Sequence, residues 1–496
     1  MTSLSTQSRT AGTGPGTVSW APLAVILCGT FVYILDFFVV NVALPSIQRD
    51  LGASSAAIEW VVAGYGLTSA AFLVTGGRLG DHYGRRKLFC VGIAVFTVTS
   101  ALCAVAPDTG FLVAARLAQG VGAAVMAPNV LSILGTTYAG PARVKAISVY
   151  GMVMGFAAAG GQLLGGLLIA ANVAGLGWRA IFWVNVPVGV AAVVLARRLV
   201  PESRAPVSAA GRGRLDLAGA ALFTAALVAI VLPLLDGRAH GWPAWSWACL
   251  AAGPVLLAVF AAHLRAMARR GGQPLLDPAI FAVRAFRAGL ACQVLFWCQQ
   301  AASYLLLALY LQEGRGLSPI KAGGVFAVLA AGYLATSFRA PALTMRFGRR
   351  VVAIGALVAA LGDVLLVLAV LPGAAGGPVA ALFPGLFLLG AGQGLCITPL
   401  TTTVLSHADA SRAGSVSGAL STAQQVGNAI GVAVSGVIFY GLLAGGHGYA
   451  AAYRWSTAEM AALLAGVAAL AFIIPRAQPA TAGPGTPAGH SRRAGR

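Results

Sequence analysis

Acidic residues are scarce in this chain of 496: Asp and Glu number 13 against 33 Lys and Arg, and the four charged types together make only 9% of the sequence. With 58% hydrophobic residues and a mean hydropathy of +0.84, so little charge excludes a water-soluble globule and implies a polytopic membrane protein. The formal net charge of +20 raises the question of nucleic acid. A phosphate-tracking surface needs cations clustered outside the membrane, however, and here they sit in short loops between apolar runs, so nucleic acid is not expected as a partner. All seven cysteines (28, 90, 103, 249, 292, 298 and 396) fall inside apolar runs without a C-x-x-C, which implies neither a disulfide nor a metal framework. None of the six histidines lies in mid-span, leaving no place for a metal site or a histidine proton relay. No Ser/His or Cys/His constellation and no soluble domain is present, so an enzyme is not expected and no cofactor is implied. The polar N-terminal stretch leads into an apolar run of spanning length with no small-residue cleavage site, and the first span is expected to be its own signal anchor.

What is there is a succession of apolar runs. A spanning helix needs roughly 20 mostly apolar residues. On that basis fourteen spans are expected, near 21–43, 57–77, 88–106, 111–134, 144–170, 179–200, 215–235, 245–264, 285–312, 320–340, 351–371, 379–404, 413–441 and 456–475. Loop charge tests the count independently. It puts 26 of the 33 Lys/Arg on one side, 6 on the other, and Arg116 within a span. Under the positive-inside rule the richer side is cytoplasmic, with both termini on it. The run Leu79 to Arg86 (LGDHYGRR) aligns without a gap with Leu343 to Arg350 (LTMRFGRR), each between the second and third spans of a six-span block. Two six-helix bundles are expected, at 21–200 and 285–475, with a linker of two extra spans at 201–284. The N-tail 1–20 and a disordered C-tail 476–496 complete an all-helical chain. Tryptophans 20, 60, 178, 242, 245 and 455 lie near the expected interfaces and are read mostly as belt anchors.

Four features carry the chemistry. Residues 77 to 87, GRLGDHYGRRK, place four cations, one carboxylate and two useful glycines in one loop: Gly77, Asp81, Gly84, Arg85 and Arg86 are its candidate latch. An anion there can cap a helix N-terminus and bind neighbouring arginines. In the first span, LDFFVVNVALPSI puts Asp36 inside the hydrocarbon region, and an intramembrane acid is a functional candidate by default. In the fourth, Arg116, Gln119 and Gly120 fall on nearly one helical face. Arg116 needs an anionic or carbonyl partner, and Asp36 is the obvious one, both being placed about 8 to 12 Å from the outer end at 1.5 Å per residue. The fifth span is crowded with glycine and alanine, including Gly161, Gly165 and Gly166, as close helix approach and sliding require. In the ninth, Gln293, Trp297, Gln300 and Tyr304 recur at helical spacing, and the thirteenth offers Gln425 and Asn428. Together with Gln119 and Gln162 these could line a cavity for a bulky amphipathic ligand, or glue helices together. Asp363, in the third span of the second bundle, is read as packing or snorkelling.

These stretches resemble the motifs of the major facilitator superfamily. The spacing G-x-L-x-D-x-x-G-[RK]-[RK] matches its loop between spans 2 and 3, and residues 112 to 124 match L-x-x-x-R-x-x-Q-G-x-G-A-A at every fixed position. The first span is similar to the L-D-x-T-x-V-N-V-A-L-P segment of the fourteen-span drug:proton antiporters, with Phe38 in place of Thr. Residues 177 to 189, GWRAIFWVNVPVG, resemble that family's W-R-W-I-F-x-I-N-x-P-x-G segment. Of the antiporter motif g-x-x-x-G-P-x-x-G-G, Gly161, Gly165 and Gly166 are matched, but Gln162 replaces proline and Ala157 the first glycine, so no proline kink is expected. The resemblance implies an exporter of a lipophilic small molecule in a prokaryotic plasma membrane, driven by the proton gradient through Asp36 with Arg116 as modulator. It further implies alternating access, a functional monomer, and no partner beyond substrate, protons and lipid. A major facilitator transporter with different coupling, an importer or a facilitator, is the alternative, and a membrane-embedded enzyme or receptor the remote one.

Overall fold

The computed structural model describes residues 19–204, 216–237, 240–272, 274–371, 377–405 and 413–473. Most of the N-tail, the Arg/Gly-rich loop after Arg204 and the expected C-tail 476–496 lie outside these. Among the described residues there is no strand. Fourteen long helices can be followed among the described residues: α1 (Ala21–Leu51), α2 (Ser55–Tyr83), α3 (Arg85–Ala104), α4 (Thr109–Thr137), α5 (Gly140–Ala171), α6 (Gly177–Leu199), α7 (Leu217–Asp236), α8 (Ala244–Arg269), α9 (Arg284–Gly314), α10 (Pro319–Ser337), α11 (Arg350–Ala369), α12 (Phe383–Leu405), α13 (Ala413–Ala444) and α14 (Tyr449–Ile473). Thirteen are long and apolar enough to cross a bilayer as they stand. The fourteenth, α5, passes as a bent pair that turns by 44° between Ala158 and Gly160. The bend arises without proline, beside the adjacent glycines 160 and 161, which fits glycine as a cause of sharp kinks.

Local chemistry sets the ends. Ser54 and Asp108 cap α2 and α4 by accepting from the amides of Ala57 and Phe111, and Gly52 closes α1 in the left-handed region. Helix α1 runs eight residues beyond the expected end at 43, to Leu51. Asp36 is therefore fifteen residues from either end of α1, about 22 Å at 1.5 Å per residue, rather than about 8 to 12 Å from its outer end, whereas Arg116 is seven residues from the start of α4. The reason is that Ile47 and the turns around it stay buried and keep the helix going.

Helices α1–α6 pack on one another, and α9–α14 repeat the arrangement: α2 against α4 and α3 against α4 in the first set, α10 against α12 and α11 against α12 in the second. The third helix of each set is peripheral. Val91, Val95, Val98 and Leu102 on α3, and Ile354, Leu357, Leu361, Val364 and Leu368 on α11, form exposed apolar stripes at helical spacing, as lipid contact requires. The two sets meet along two seams, α5 against α10 and α2 against α13. Glycines make both seams close: a Cβ on Gly166 would stand 2.5 Å from Pro319 O, and one on Gly436 would meet the Glu59 carboxylate at 2.7 Å. Helices α7 and α8 form a hairpin held by Phe223 against Phe260, and α7 lies along the α2–α13 seam. Trp60 of α2 donates to Asp236 at the end of α7 (3.1 Å), so this tryptophan is a tie rather than a belt anchor. Trp178 is likewise buried and donates to Asp50 (2.9 Å), which also takes Arg179 (2.6 Å); the W-R pair thus fastens the start of α6 to the end of α1.

Candidate functional site

Asp36, Arg116, Gln119 and Asn185 converge from three helices into one buried polar cluster. Arg116 Nη1 donates to Asp36 Oδ2 and to Gln119 Oε1 (2.8 Å), and its Nε donates to Val61 O (2.9 Å). Gln119 Nε2 and Asn185 Nδ2 both donate to Asp36 Oδ1, at 3.2 and 2.8 Å. The guanidinium lies over the Tyr65 ring, 4.4 Å from its centroid. Both charged side chains have 0% exposure, which is decisive: in so dry a setting neither charge is tolerable without the other. The carboxylate receives three donors and the arginine offers its delocalised charge to three oxygens and a ring, so the ionised form of Asp36 is fully coordinated here.

Each partner is positioned by local sequence. Arg116 and Gln119 are one helical turn apart on α4, which brings both to the same face. Gly120 lets α4 press against α2: its Cβ position would lie 2.1 Å from Thr68 Oγ1 and 2.5 Å from Tyr65 O. Asn185 sits near the start of α6, where its Nδ2 also reaches Ser100 Oγ (3.0 Å) on α3, while Ser100 donates to Phe182 O (2.9 Å). Sequence reasoning placed Gln119 with the cavity and did not single out Asn185, Ser100 or Tyr65. An amide in the otherwise apolar WVNVPVG was the available signal.

The other candidate residues fall in separate places. A narrow cleft between the two helix sets is lined by Tyr33, Ser69, Tyr150, Ser421, Gln424 and Gln425, together with small apolar residues of α2 and α4. Only Gln425 among the expected cavity residues lines it; Asn428, one turn on, donates to Gln425 Oε1 (3.0 Å). Trp297 donates to Gln293 (2.7 Å) and Gln293 to Thr401 (3.2 Å), tying α9 to α12. Tyr304 donates to Gln393 (3.0 Å), and its ring lies 5.0 Å from that of Phe38, so the residue standing in place of threonine makes an aromatic contact between the two sets. Gln300 is buried, and Gln162 is buried with neither of its polar side-chain atoms hydrogen-bonded among the described residues. Gly161 and Gly165 face Leu35 and Val39 of α1, whereas Gly166 faces α10 across the seam.

The charged loop is built around Gly84, whose φ of +116° only glycine adopts comfortably. Arg85 donates twice to Asp81 Oδ1, at 3.0 and 2.8 Å. Capping of α3 falls to another acid: Glu202, just past α6, accepts the amides of Arg86 (3.0 Å) and Lys87 (3.2 Å). Arg86 returns to Val200 O (3.2 Å), and Arg78 reaches Pro274 O (2.7 Å) at the approach to α9. Gly77 rests on Pro128 of α4. Asp363 does not snorkel; it is wholly buried and accepts from Gln299.

Two helical sets related by an internal repeat, a polar cleft between them and an ion pair buried between α1 and α4 define the architecture of a membrane carrier. The chain belongs to the major facilitator superfamily, whose sequence profile, "Major Facilitator Superfamily", matches residues 26–432. It is similar to the probable actinorhodin transporter of Streptomyces coelicolor (39% identity over 87% of this chain and 74% of the relative). It is also similar to the cephamycin export protein CmcT of Amycolatopsis lactamdurans (35%; 88% of each) and to the tetracenomycin C resistance and export protein of Streptomyces glaucescens (32%; 84% and 76%). An auto-inhibited POT family peptide transporter has the same fold at a TM-score of 0.65 and 16% identity, covering 91% of this chain and 96% of that one. The proton:xylose symporter XylE shares it at 0.63 and 16%, covering 92% and 96%. The protein is a multi-pass transporter and not an enzyme.

Proposed function

We propose that this protein exports a lipophilic antibiotic or related small molecule across a bacterial plasma membrane in exchange for protons, by alternating access. The buried carboxylate of Asp36, held by Arg116, Gln119 and Asn185 at the middle of α1, carries the reading. An acid at this depth changes its partners when it changes its charge. Protonated, Asp36 no longer balances Arg116, and the guanidinium is left to Gln119 and the Val61 carbonyl. The ion pair therefore opposes loss of one partner, and proton uptake loosens it. Relatives named for the transport or export of actinorhodin, cephamycin and tetracenomycin C support the direction and the substrate class.

In this conformation the seams are closed toward the end opposite the charged loop. Gln312 near the end of α9 donates to Val42 O of α1 (2.9 Å), and Gly166 abuts Pro319. By the positive-inside rule the charged loop and both termini face the cytoplasm, and the cleft is the path that opens to that side in the transport cycle. Substrate enters there and reaches Gln425 and Asn428 first; Gln162, Trp297, Gln300 and Tyr304 become available as the sets rock about glycine-lined seams. The loop of Gly77, Asp81, Gly84, Arg85 and Arg86 biases the inward state. The carrier works as a monomer, with the proton gradient as its energy source and no cofactor.

Everted vesicles test the proposal. Wild-type protein accumulates a lipophilic dye or antibiotic on energisation and loses it with a protonophore, whereas Asp36→Asn fails to accumulate but still equilibrates substrate. Protonophore-sensitive accumulation by Asp36→Asn at the wild-type rate refutes coupling at Asp36. Single cysteines at 86 and 349 that react with an impermeant reagent added outside intact cells refute the orientation.

A further inference from the structure

The second helix set carries a buried acid that the exchange reading does not use. Asp363 on α11 has 0% exposure and accepts a hydrogen bond from Gln299 Nε2 of α9 at 3.2 Å through its Oδ2. Among the described residues its other oxygen, Oδ1, has no partner, and neither has Gln299 Oε1, on a side chain equally buried. Two acceptors thus stand unfilled on two groups already joined by one hydrogen bond. A proton satisfies both: a neutral carboxyl has one O–H to donate and an amide carbonyl accepts it, so acid and amide close a ring of two hydrogen bonds. The ionised form would leave a buried charge with a single neutral donor.

The internal repeat explains why no cation intervenes. Gln119–Gly120 on α4 corresponds to Gln393–Gly394 on α12. Gly120 lies against Thr68 Oγ1, Tyr65 O and Ser69 N, and Gly394 lies against Thr336 Oγ1, Tyr333 O and Ser337 N. Three residues before Gln119 stands Arg116; three before Gln393 stands Gly390. A Cβ there would be 2.0 Å from Leu329 O, so this position has no room for a side chain. The acid has also moved, from the first helix of its set to the third, leaving Gln299 on the first. Around Asp363, α12 brings Leu389 and Gly385 to the neighbouring Gly362, and α14 brings Tyr453 and Glu459, the latter accepting from Ser435 Oγ at 2.9 Å. Arg315 is engaged with the Tyr310 hydroxyl (3.2 Å), whose ring stacks on Tyr453.

We propose that Asp363 and Gln299 form a proton-binding site in the second helix set, loaded in this conformation, so that the carrier holds one proton there while Asp36 is ionised against Arg116. The site stands whether or not Asp36 couples transport to protons. Infrared spectra of the full-length protein in liposomes at neutral pH test it. The expected wild-type spectrum contains a protonated-carboxyl C=O band that Asp363→Asn removes and Asp36→Asn leaves in place. Gln299→Leu should shift the same band to higher frequency, as an acid losing its hydrogen-bonded partner does. Asn at 363 reproduces both hydrogen bonds of the neutral ring, so that variant should keep wild-type thermal stability at neutral pH and escape the loss that alkali causes in the wild type by stripping the proton. Carboxyl regions that coincide between wild type and Asp363→Asn overturn the assignment. So does a band that Gln299→Leu leaves unmoved, a readout that survives even if Asp363→Asn does not fold.

Discussion

Removing the charges of Asp36 and Arg116 one at a time and then together separates what the pair does for stability from what it does for transport. Both side chains are wholly buried. In Asp36→Asn the guanidinium keeps Gln119 Oε1, Val61 O and the Tyr65 ring but has no anion, and breaking a buried pair in this way costs about 3–5 kcal/mol. The retained acceptors put the expected loss near the lower end, about 3 kcal/mol. Arg116→Leu should cost less, about 2 kcal/mol, because Asp36 keeps Asn185 and Gln119 as donors and can neutralise itself by taking up a proton. The double variant Asp36→Asn/Arg116→Leu leaves no buried charge and should come within about 1 kcal/mol of wild type, since replacing a buried pair outright is often neutral. The resulting coupling energy is about 4 kcal/mol or more, far above the roughly 0.5 kcal/mol scatter of independent sites. Thermal unfolding of the purified protein, followed by a thiol-reactive dye that reaches buried Cys90, Cys103, Cys292, Cys298 and Cys396 only on unfolding, measures it. Transport in everted vesicles supplies the second readout, in which the double variant folds yet shows no gradient-driven accumulation. Additive single effects would refute the energetic reasoning, and proton-driven export by the double variant would refute the functional one.

Three further predictions address the rest of the molecule. Asp81→Asn removes a partly exposed i,i+4 pair worth about 0.3–0.5 kcal/mol, so stability should hardly change while cross-links across the two membrane faces shift away from the inward state; Glu202→Ala, which strips the cap from α3, should instead lower stability by about 0.5–2 kcal/mol, and the reverse order refutes the division of labour. Gly155→Ala places a Cβ 1.7 Å from Tyr333 Oη, an overpacking worth about 1–3 kcal/mol that should push α5 from α10 and favour the opposite state, with Tyr333→Ala restoring the balance; unaltered cross-linking would show that the seam does not gate. Asp216, the cap of α7, is pushed up by burial, but His263 and the amides of Gly219 and Leu275 outweigh this and hold its carboxyl below the usual range. The stability it contributes is therefore present above the ordinary Asp value of about 3.9 and lost as pH falls through the lower folded value. Protease accessibility of the hairpin should rise in that acid window for wild type and be independent of it for Asp216→Asn.

Much of this protein was decided by one-dimensional facts. Apolar runs of spanning length separated by short basic loops can only be a bundle of membrane helices, because a bilayer satisfies no backbone group and admits no irregular chain at its lipid face. The count of fourteen, the charged loop at Gly84 and the pairing of Asp36 with Arg116 follow from run length, turn chemistry and the need of a buried arginine for an anion. Asn185, Ser100 and Tyr65 could not be read in the same way, because they lie on helices whose azimuth around α1 and α4 is set by glycine contacts such as Gly120 on Tyr65 O. Glu202 took the cap expected of Asp81 because the end of α6 arrives beside Arg86, a contact 116 residues apart in sequence. The bend in α5 arises without a proline, whose absence the sequence showed, since adjacent glycines also yield at that point. Asp363 was indistinguishable in sequence from a snorkelling acid. Only the packing of α9 against the same set, which brings Gln299 to it and leaves Gly390 where the first set has Arg116, determined that its neighbour is a neutral amide and not a cation.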